Sequence, residues 1–176
     1  LTGKMNSAQG NFSQKVIDQN GKLVQEVSGI FFFKKPNFFR WKYTEPFESQ
    51  IISDGELLYL YDPDLKQVVI SSLDKLGGVS PAMLLVSGDI HNSFKLNYLK
   101  NIESRDWFQA TPKDKSKSTF KSVLINFEAE KIKEMRVLDN FEQTTIIIFK
   151  SLVVNNKIND EFFLFNTPDN VDVIKN

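Results

Sequence analysis

Apolar and polar residues alternate along most of the chain, and short turn signals separate the alternating runs. A period of two predicts β-strands with one buried face. The strongest turn signals are Asn20-Gly21 and Asp54-Gly55, because such pairs favour the tight turns of β-hairpins. The pattern predicts strands at residues 12–18, 22–33, 49–53, 57–61, 68–71, 94–100, 107–111, 119–128, 134–138, 144–149, 162–165 and 171–174. Their even spacing predicts a mainly β fold, in which a meandering antiparallel sheet is closed or curled upon itself.

The densest aromatic stretch covers residues 29–43, which read G-I-F-F-F-K-K-P-N-F-F-R-W-K-Y. The pair Pro36-Asn37 predicts a turn between two antiparallel strands. Alternation then gives each strand an aromatic face. In the first strand this face carries Phe31, Phe33 and Lys35. In the second strand it carries Phe39, Trp41 and Tyr43, while Arg40, Lys42 and Thr44 lie on the other face. An aromatic face with a cation at its rim needs a large apolar partner, which is either the protein core or a ligand.

Helical signals are few. Residues 80–88, S-P-A-M-L-L-V-S-G, predict a short helix, since Ser80 suits the N-cap, Pro81 the first helical position and Gly88 the position after the end. This segment is apolar on every side, so the helix is expected to be buried across the open face or mouth of the sheet. Residues 1–8 are expected to be the end of a first helix, in a chain trimmed of its signal peptide.

The composition narrows the classes of partner. The 176 residues suit one domain, 1–176, and 22 basic residues balance 22 acidic ones, which leaves no basic surface for nucleic acid. Phe supplies 16 residues, whereas Tyr and Trp, the aromatic residues favoured at protein interfaces, supply 4 and 2. This bias favours an apolar interior. Cysteine is absent, so disulfides and thiol chemistry are excluded.

The residues that usually perform catalysis are scarce. His91 is the sole histidine, and we interpret it as a surface or helix-end residue because no nucleophile motif accompanies it. The sequence has no phosphate-binding glycine motif and no second His or Cys for a metal site. We therefore expect no catalytic residues, no metal and no cofactor. A pair of carboxylates brought together by the fold stays open as an alternative.

Several motifs together resemble one family. They are F-S-Q at residues 12–14, K-K-P-N-F-F-R-W at 34–41, S-D-G at 53–55, Y-D-P at 61–63, S-P-A-M-L-L at 80–85, and F-L-F followed by Pro168 and V-D-V at 163–173. In this order and spacing they resemble the LolA family of periplasmic outer-membrane lipoprotein carriers. The resemblance runs over most of the chain.

The resemblance implies a half-open antiparallel β-barrel with a few short α-helices forming a lid over an apolar cavity. It implies a periplasmic chaperone or carrier that binds the acyl chains of lipoproteins in this cavity. The carrier would take them from an inner-membrane ABC transporter of the LolCDE type and pass them to an outer-membrane receptor of the LolB type. We expect a monomer whose cavity is lined by Phe31, Phe33, Phe39, Trp41, Tyr43, Ile52, Leu58, Leu60, Met83, Leu84 and Leu85. Alternation leaves open whether Leu58 and Leu60, or Tyr59 and Tyr61, face inward.

Two positions depart from the family pattern. Lys35 stands where the family has the Arg that links barrel and lid, and a lysine keeps the charge but lacks the planar five-donor fork. We expect Lys35 to act as the lid latch. Ala82 stands where a bulky aromatic residue often follows the helix proline. The alternatives are a receptor-type relative, a periplasmic lipid-binding sensor with the same fold, and an enzyme acting on an acylated substrate.

Overall fold

A computed structural model describes residues 4–73, 81–86 and 90–176 of the chain. The strands are β1 (Ser7–Ile17), β2 (Leu23–Lys34), β3 (Phe38–Glu45), β4 (Ser49–Asp54), β5 (Leu57–Asp62), β6 (Gln67–Ser72), β7 (Phe94–Ile102), β8 (Arg105–Pro112), β9 (Phe120–Glu128), β10 (Lys131–Asp139), β11 (Thr144–Val154) and β12 (Asp172–Lys175). Short 3₁₀ helices cover Pro81–Leu85, Lys115–Lys117 and Asp160–Phe163, and α1 covers Ile90–Ser93. The described chain is therefore mainly β, as predicted.

The twelve strands form one sheet in the order β12-β6-β5-β4-β3-β2-β1-β11-β10-β9-β8-β7. Neighbours pair antiparallel, except that β12 runs parallel to β6. The two outermost strands, β12 and β7, are not paired with each other, so the sheet is curled but unclosed. Its concave side, which we call the inner face, carries a hydrophobic cluster with side chains from both halves of the sheet.

The predicted hairpin turns are present. Gly21 and Gly55 have φ angles of 80° and 93°, a backbone region in which glycine meets no steric penalty. The turn at Pro36-Asn37 joins β2 to β3, so the aromatic stretch forms two neighbouring antiparallel strands as expected.

The C-terminal region differs from the prediction. Residues 162–165 were expected to form a strand paired with residues 171–174 across a turn. Instead, Asp160–Phe163 is a 3₁₀ helix capped by the Asn159 side chain, which accepts a hydrogen bond from the Glu161 amide. The last strand lies at Asp172–Lys175 and pairs with β6. Because the three phenylalanines of this region pack on rings of the sheet, the backbone follows the sheet surface rather than pairing with itself.

The helical predictions also need correction. Pro81–Leu85 forms one 3₁₀ helix rather than a longer α-helix, while Ser80 and Gly88 lie outside the described residues. The described part of the N-terminal region is not helical, since β1 begins at Ser7. Within the described ranges, no helix has the length and apolarity to cross a bilayer. Of the described helices in residues 81–93, Pro81–Leu85 is 3₁₀ and only the four residues Ile90–Ser93 are α-helical, so the expected lid of a few short α-helices is not confirmed.

Candidate functional site

The inner face of β1–β5 is an aromatic surface. Phe31, Phe33, Phe39 and Trp41 have no exposed surface, and Tyr43 is half-buried against the same cluster. The indole of Trp41 lies parallel to the Phe39 ring, with 5.7 Å between centroids and 5° between planes. The Phe31 and Phe33 rings stack at 5.7 Å on the neighbouring strand. Because partner residues of adjacent strands share a face, the register unites the five aromatic residues that the sequence grouped.

A sixth ring in this surface comes from Phe12, which sequence reasoning assigned to a motif but not to the site. Phe12 stacks on Trp41 with 3.8 Å between centroids. Its place opposite Gly29 makes this possible, since a Cβ at Gly29 would lie 3.0 Å from the Phe12 ring and 1.9 Å from the Lys42 carbonyl oxygen. The signal that could have identified Phe12 is its cross-strand pairing with a glycine, which leaves room for the ring. That pairing depends on the strand register, which the sequence does not determine.

Residues 81–86, which we call the inner cover, lie on this aromatic surface. Ala82, Leu84, Leu85 and Val86 are buried in the same cluster as the aromatic rings. The expectation that this segment is buried is therefore confirmed for these four side chains. The side chain of Met83 lies outside the described part of the structure. The backbone amide of Asn37 donates a hydrogen bond to the Val86 carbonyl at 3.2 Å, which joins the cover to the β2–β3 turn.

The strand register shows which side chains of β5 lie on the inner face. Leu58 pairs with Ser53 and Leu60 with Ile51, and both leucines belong to or pack on the inner cluster. Tyr59 and Tyr61 point the other way and contact the Phe165 ring.

Ile52 does not share the inner face. It pairs with Arg40 on β3 and with Tyr59 on β5, which places it on the convex side, the outer face. Ile52 is fully buried there, where the Asp160–Phe163 helix approaches β3 and β4. Its assignment to the same lining as Phe39 and Trp41 is wrong. The error arose because burial on both faces of β4 hides the alternation that would distinguish them.

The outer face has a cover of its own, residues 158–171, which we call the outer strap. The ring of Phe162 packs on Phe32 at 4.7 Å and the ring of Phe163 on Phe38 at 5.4 Å. Phe163 has no exposed surface. The strap therefore buries the aromatic residues that alternation directs away from the inner face.

Two cations fasten the outer strap. Lys34 donates to the Ile158 carbonyl oxygen at 3.0 Å and forms an ion pair with Asp160. Arg40 Nη1 donates to the Phe162 carbonyl oxygen at 3.0 Å, while its Nε and Nη2 donate to Gln50 Oε1. Sequence reasoning placed Arg40 correctly on the other side from Trp41, but it did not identify this role for Lys34.

Lys35 lies at the rim of the β2–β3 turn. Its amide donates to the Asn6 carbonyl at 2.8 Å, and its half-buried side chain borders a polar cleft together with Ser7 and Lys157. Burial lowers the pKa of Lys35 below the ordinary value of a lysine. Two residues further along the turn, the Asn37 amide donates to the Val86 carbonyl and so links the turn to the inner cover. A latch role for the Lys35 ammonium stays a prediction.

The site offers an apolar surface rather than reactive groups. The described residues contain no group of three or more His, Cys, Asp or Glu side chains placed to hold a metal ion. The rings of this surface carry two polar groups, the indole N–H of Trp41 and the phenol of Tyr43. Burial raises the pKa of Tyr43, so this phenol stays neutral well above physiological pH. Such a surface binds apolar ligands and excludes water.

Comparison with known proteins gives a consistent result. The family model described as outer membrane lipoprotein carrier protein LolA matches residues 3–166. The chain is 40% identical over 170 residues to the outer-membrane lipoprotein carrier protein of Nitrosospira multiformis, covering 96% of this chain and 82% of that protein. It is 38% identical over 181 residues to the protein of the same name from Pseudomonas aeruginosa, covering 99% and 86%.

The solved structures agree at the level of the fold. A LolA-superfamily protein from Nitrosomonas europaea superposes with a TM-score of 0.53 at 14% identity, covering 92% of this chain and 91% of that one. At this identity the likeness concerns the curled, unclosed sheet alone.

Proposed function

The chain belongs to the LolA family of outer-membrane lipoprotein carrier proteins, and we propose that it binds the acyl chains of lipoproteins on its inner aromatic face. The observation that carries this proposal is that part of the packing of that face comes from a segment outside the sheet. Phe31, Phe33, Phe39 and Trp41 are buried in one cluster with side chains of residues 81–86, which belong to no strand. We propose one lipoprotein-carrier domain over 1–176, a half-open barrel in which the inner cover belongs to a lid.

The energetics favour exchange of the cover for cargo. Burying one large apolar side chain contributes about 1.5–3 kcal/mol, so exposing Leu84 and Leu85 together costs several kcal/mol. An acyl chain contributes about 0.8 kcal/mol for each buried methylene. About four to eight methylenes are therefore enough to replace the contacts that the two leucines lose. A nearly balanced exchange lets the carrier both accept and release its cargo.

The family name supports the route that we propose for the cargo. The chain would act in the periplasm as a monomer, receive acylated lipoproteins from a LolCDE-type ABC transporter of the inner membrane, and deliver them to a LolB-type receptor of the outer membrane. The receptor-type and sensor alternatives have less support, since the curated relatives reported above carry the carrier name.

Carriage requires binding without chemical change to the cargo. Incubation with a diacyl lipopeptide is expected to give a complex whose ligand mass, measured by mass spectrometry, is unchanged. A matched pair of photo-crosslinking substitutions locates the ligand: p-benzoylphenylalanine at Phe33 faces inward, and at Phe32 it faces the outer strap. Acyl-chain crosslinks are expected from position 33 and not from position 32. Steady release of free fatty acid would instead favour an esterase, and equal crosslinking from both positions would contradict the inner site.

We propose that Lys35 latches the rim of the empty protein. Its charge beside an apolar face is tolerated where the ammonium reaches acceptors or water, and its pKa is lowered by burial. Lys35→Leu is expected to retain cargo and to slow its transfer to the receptor. Lys34→Leu is the matched control, because the neighbouring side chain contacts the outer strap instead. Transfer at the parent rate in Lys35→Leu would remove Lys35 from the mechanism.

A further inference from the structure

Among the residues that the structure describes, one buried side-chain polar atom of the inner face lacks a hydrogen-bond partner. Trp41 has no exposed surface, and its indole Nε1–H finds no hydrogen-bond acceptor among the residues that the structure describes. A buried donor without a partner loses its hydrogen bond to water and gains none in return. Native proteins contain few such groups, and each of them requires an explanation.

Stacked rings fix the direction of this donor. Phe12 lies against the indole at 3.8 Å with 23° between the planes, and Phe39 is nearly parallel to it at 5.7 Å. The Phe149 ring meets the indole edge-on at 6.1 Å. An indole N–H lies in the plane of its ring. The stacked rings therefore fix the direction of the N–H and prevent the indole from rotating toward another acceptor.

Two further polar groups lie beside the indole. The side chains of Trp41 and Gln14 lie near enough to the Tyr43 oxygen for weak hydrogen bonding, which lowers the pKa of the phenol, although burial outweighs it. The Trp41 Nε1–H and the Tyr43 oxygen do not reach the distance and angle of a formed hydrogen bond, so the donor is not satisfied by Tyr43. The three side chains make a small polar spot within an otherwise apolar surface.

We propose that the Trp41 Nε1–H donates a hydrogen bond to the carbonyl oxygen of a bound acyl group, with Tyr43 and Gln14 beside it. The inference rests on the proposed function and adds the part of the lipid that is recognised. An alkyl chain has no acceptor, whereas an ester- or amide-linked acyl chain has a carbonyl at its head. With the carbonyl bound at Trp41, the hydrocarbon tail of the acyl chain extends over Phe39 and Phe33 toward the β2–β3 turn.

The test compares two lipopeptides with the same peptide and chain lengths, one with two ester-linked acyl chains and one with two ether-linked alkyl chains. A net hydrogen bond between neutral groups corresponds to about a 2- to 12-fold preference for the ester. The parent protein is expected to show this preference, and Trp41→Phe, which keeps a ring on Phe12 but lacks the donor, is expected to lose it. The ratio of the ester affinity to the ether affinity is compared between the two proteins. The smaller ring of the variant reduces the apolar contact with both lipids alike, so a change in this ratio reports on the hydrogen bond.

A second measurement uses the parent protein alone, so the test stands even where Trp41→Phe fails to fold. The proton and nitrogen signals of the Trp41 indole are expected to shift with the ester lipopeptide and to shift less with the ether. Trp107 is the internal control, because it is buried on the outer face beneath Arg136, whose guanidinium carbon lies 4.7 Å from its ring. Equal affinities for both lipids, with equal indole shifts, would overturn this inference. Binding of neither lipid would instead overturn the proposed function.

Discussion

The two faces of the β2–β5 half of the sheet are both aromatic, but their covers are attached differently. The inner cover, residues 81–86, is held by apolar packing and by the hydrogen bond from the Asn37 amide to the Val86 carbonyl. The outer strap, residues 158–171, is held by ring contacts and by the cations of Lys34 and Arg40. Hydrogen bonds that involve a charged group contribute about 1.5–3 kcal/mol, against about 0.5–1.5 kcal/mol for a neutral pair.

Strand pairing adds to this difference. The outer strap continues into β12, which pairs with β6 through four residue pairs and extends the sheet. Apolar contacts are non-directional, so an acyl chain can replace them, whereas a strand ladder and directed hydrogen bonds have no substitute in a lipid. We infer that the outer strap is a permanent part of the fold and that the inner cover is the exchangeable one.

The largest expected effect is on the outer face. Phe163→Ala removes a fully buried ring that packs on Phe38, and it should lower the free energy of unfolding by about 3–5 kcal/mol, as measured by urea denaturation. The lipopeptide affinity of the folded fraction should not change. Phe162→Ala is the control, since that ring is 46% exposed. A loss of affinity without a loss of stability would mean that the strap belongs to the binding site.

Leu85→Ala tests the inner cover. The side chain is buried on the aromatic surface, and its truncation should destabilise the empty protein by about 2–5 kcal/mol. Because a weaker cover raises the population that is open to cargo, the apparent Kd for a diacyl lipopeptide should fall. Titration monitored by calorimetry measures this change. A rise in Kd would mean that Leu85 packs on the bound cargo and that the cover does not leave.

Arg40→Met tests the fastening of the strap. The variant loses the hydrogen bonds to Phe162 and Gln50 but keeps much of the aliphatic stem, and a destabilisation of about 1.5–3 kcal/mol is expected. Lys42→Met, on the same face of β3, serves as the matched control. Similar stability in the two variants, measured by thermal unfolding, would show that ring packing alone holds the strap.

The smallest expected effect concerns Tyr43 and pH. Burial raises the pKa of its phenol above the unfolded value near 10, so the folded state retains a proton that the unfolded state releases. This contribution to stability is complete below pH 10 and is lost as the pH rises through the folded pKa. The parent should therefore lose more stability between pH 9 and 11 than Tyr43→Phe. Tyr59 and Tyr98, whose pKa values are also raised, act equally in both proteins. Parallel pH profiles would contradict the burial of this phenol.

Local signals predicted the sheet and its aromatic face. The Asn20-Gly21 and Asp54-Gly55 pairs predicted turns whose glycines adopt positive φ angles, and alternation predicted the shared face of Phe39 and Trp41. These features depend on neighbours along the chain or on the two-residue period of a strand. The family resemblance, now supported by the comparisons, came from motif order rather than from physical reasoning.

Long-range contacts were not predictable in the same way. Residues 162–165 have the composition of a strand, yet the Phe162 carbonyl oxygen accepts from Arg40, more than 100 residues earlier in the chain. Ile52 was assigned to the wrong face for the same reason, since the strap that buries it is distant in sequence. A usable signal was present: apolar residues on both faces of β2, β4 and β5 indicate that the convex side is also covered.

Hydrogen exchange, followed by mass spectrometry with and without a diacyl lipopeptide, shows whether the inner cover is exchanged for cargo while the outer strap stays in place. Peptides that contain residues 81–86 report on the inner cover, peptides from residues 158–171 on the outer strap, and peptides from β9 (Phe120–Glu128) on the wall of the sheet. We expect lipopeptide binding to change the protection of the inner cover while the protection of the outer strap and of β9 stays the same. Unchanged protection of the inner cover in the loaded protein, or an equal change in the outer strap, would contradict it.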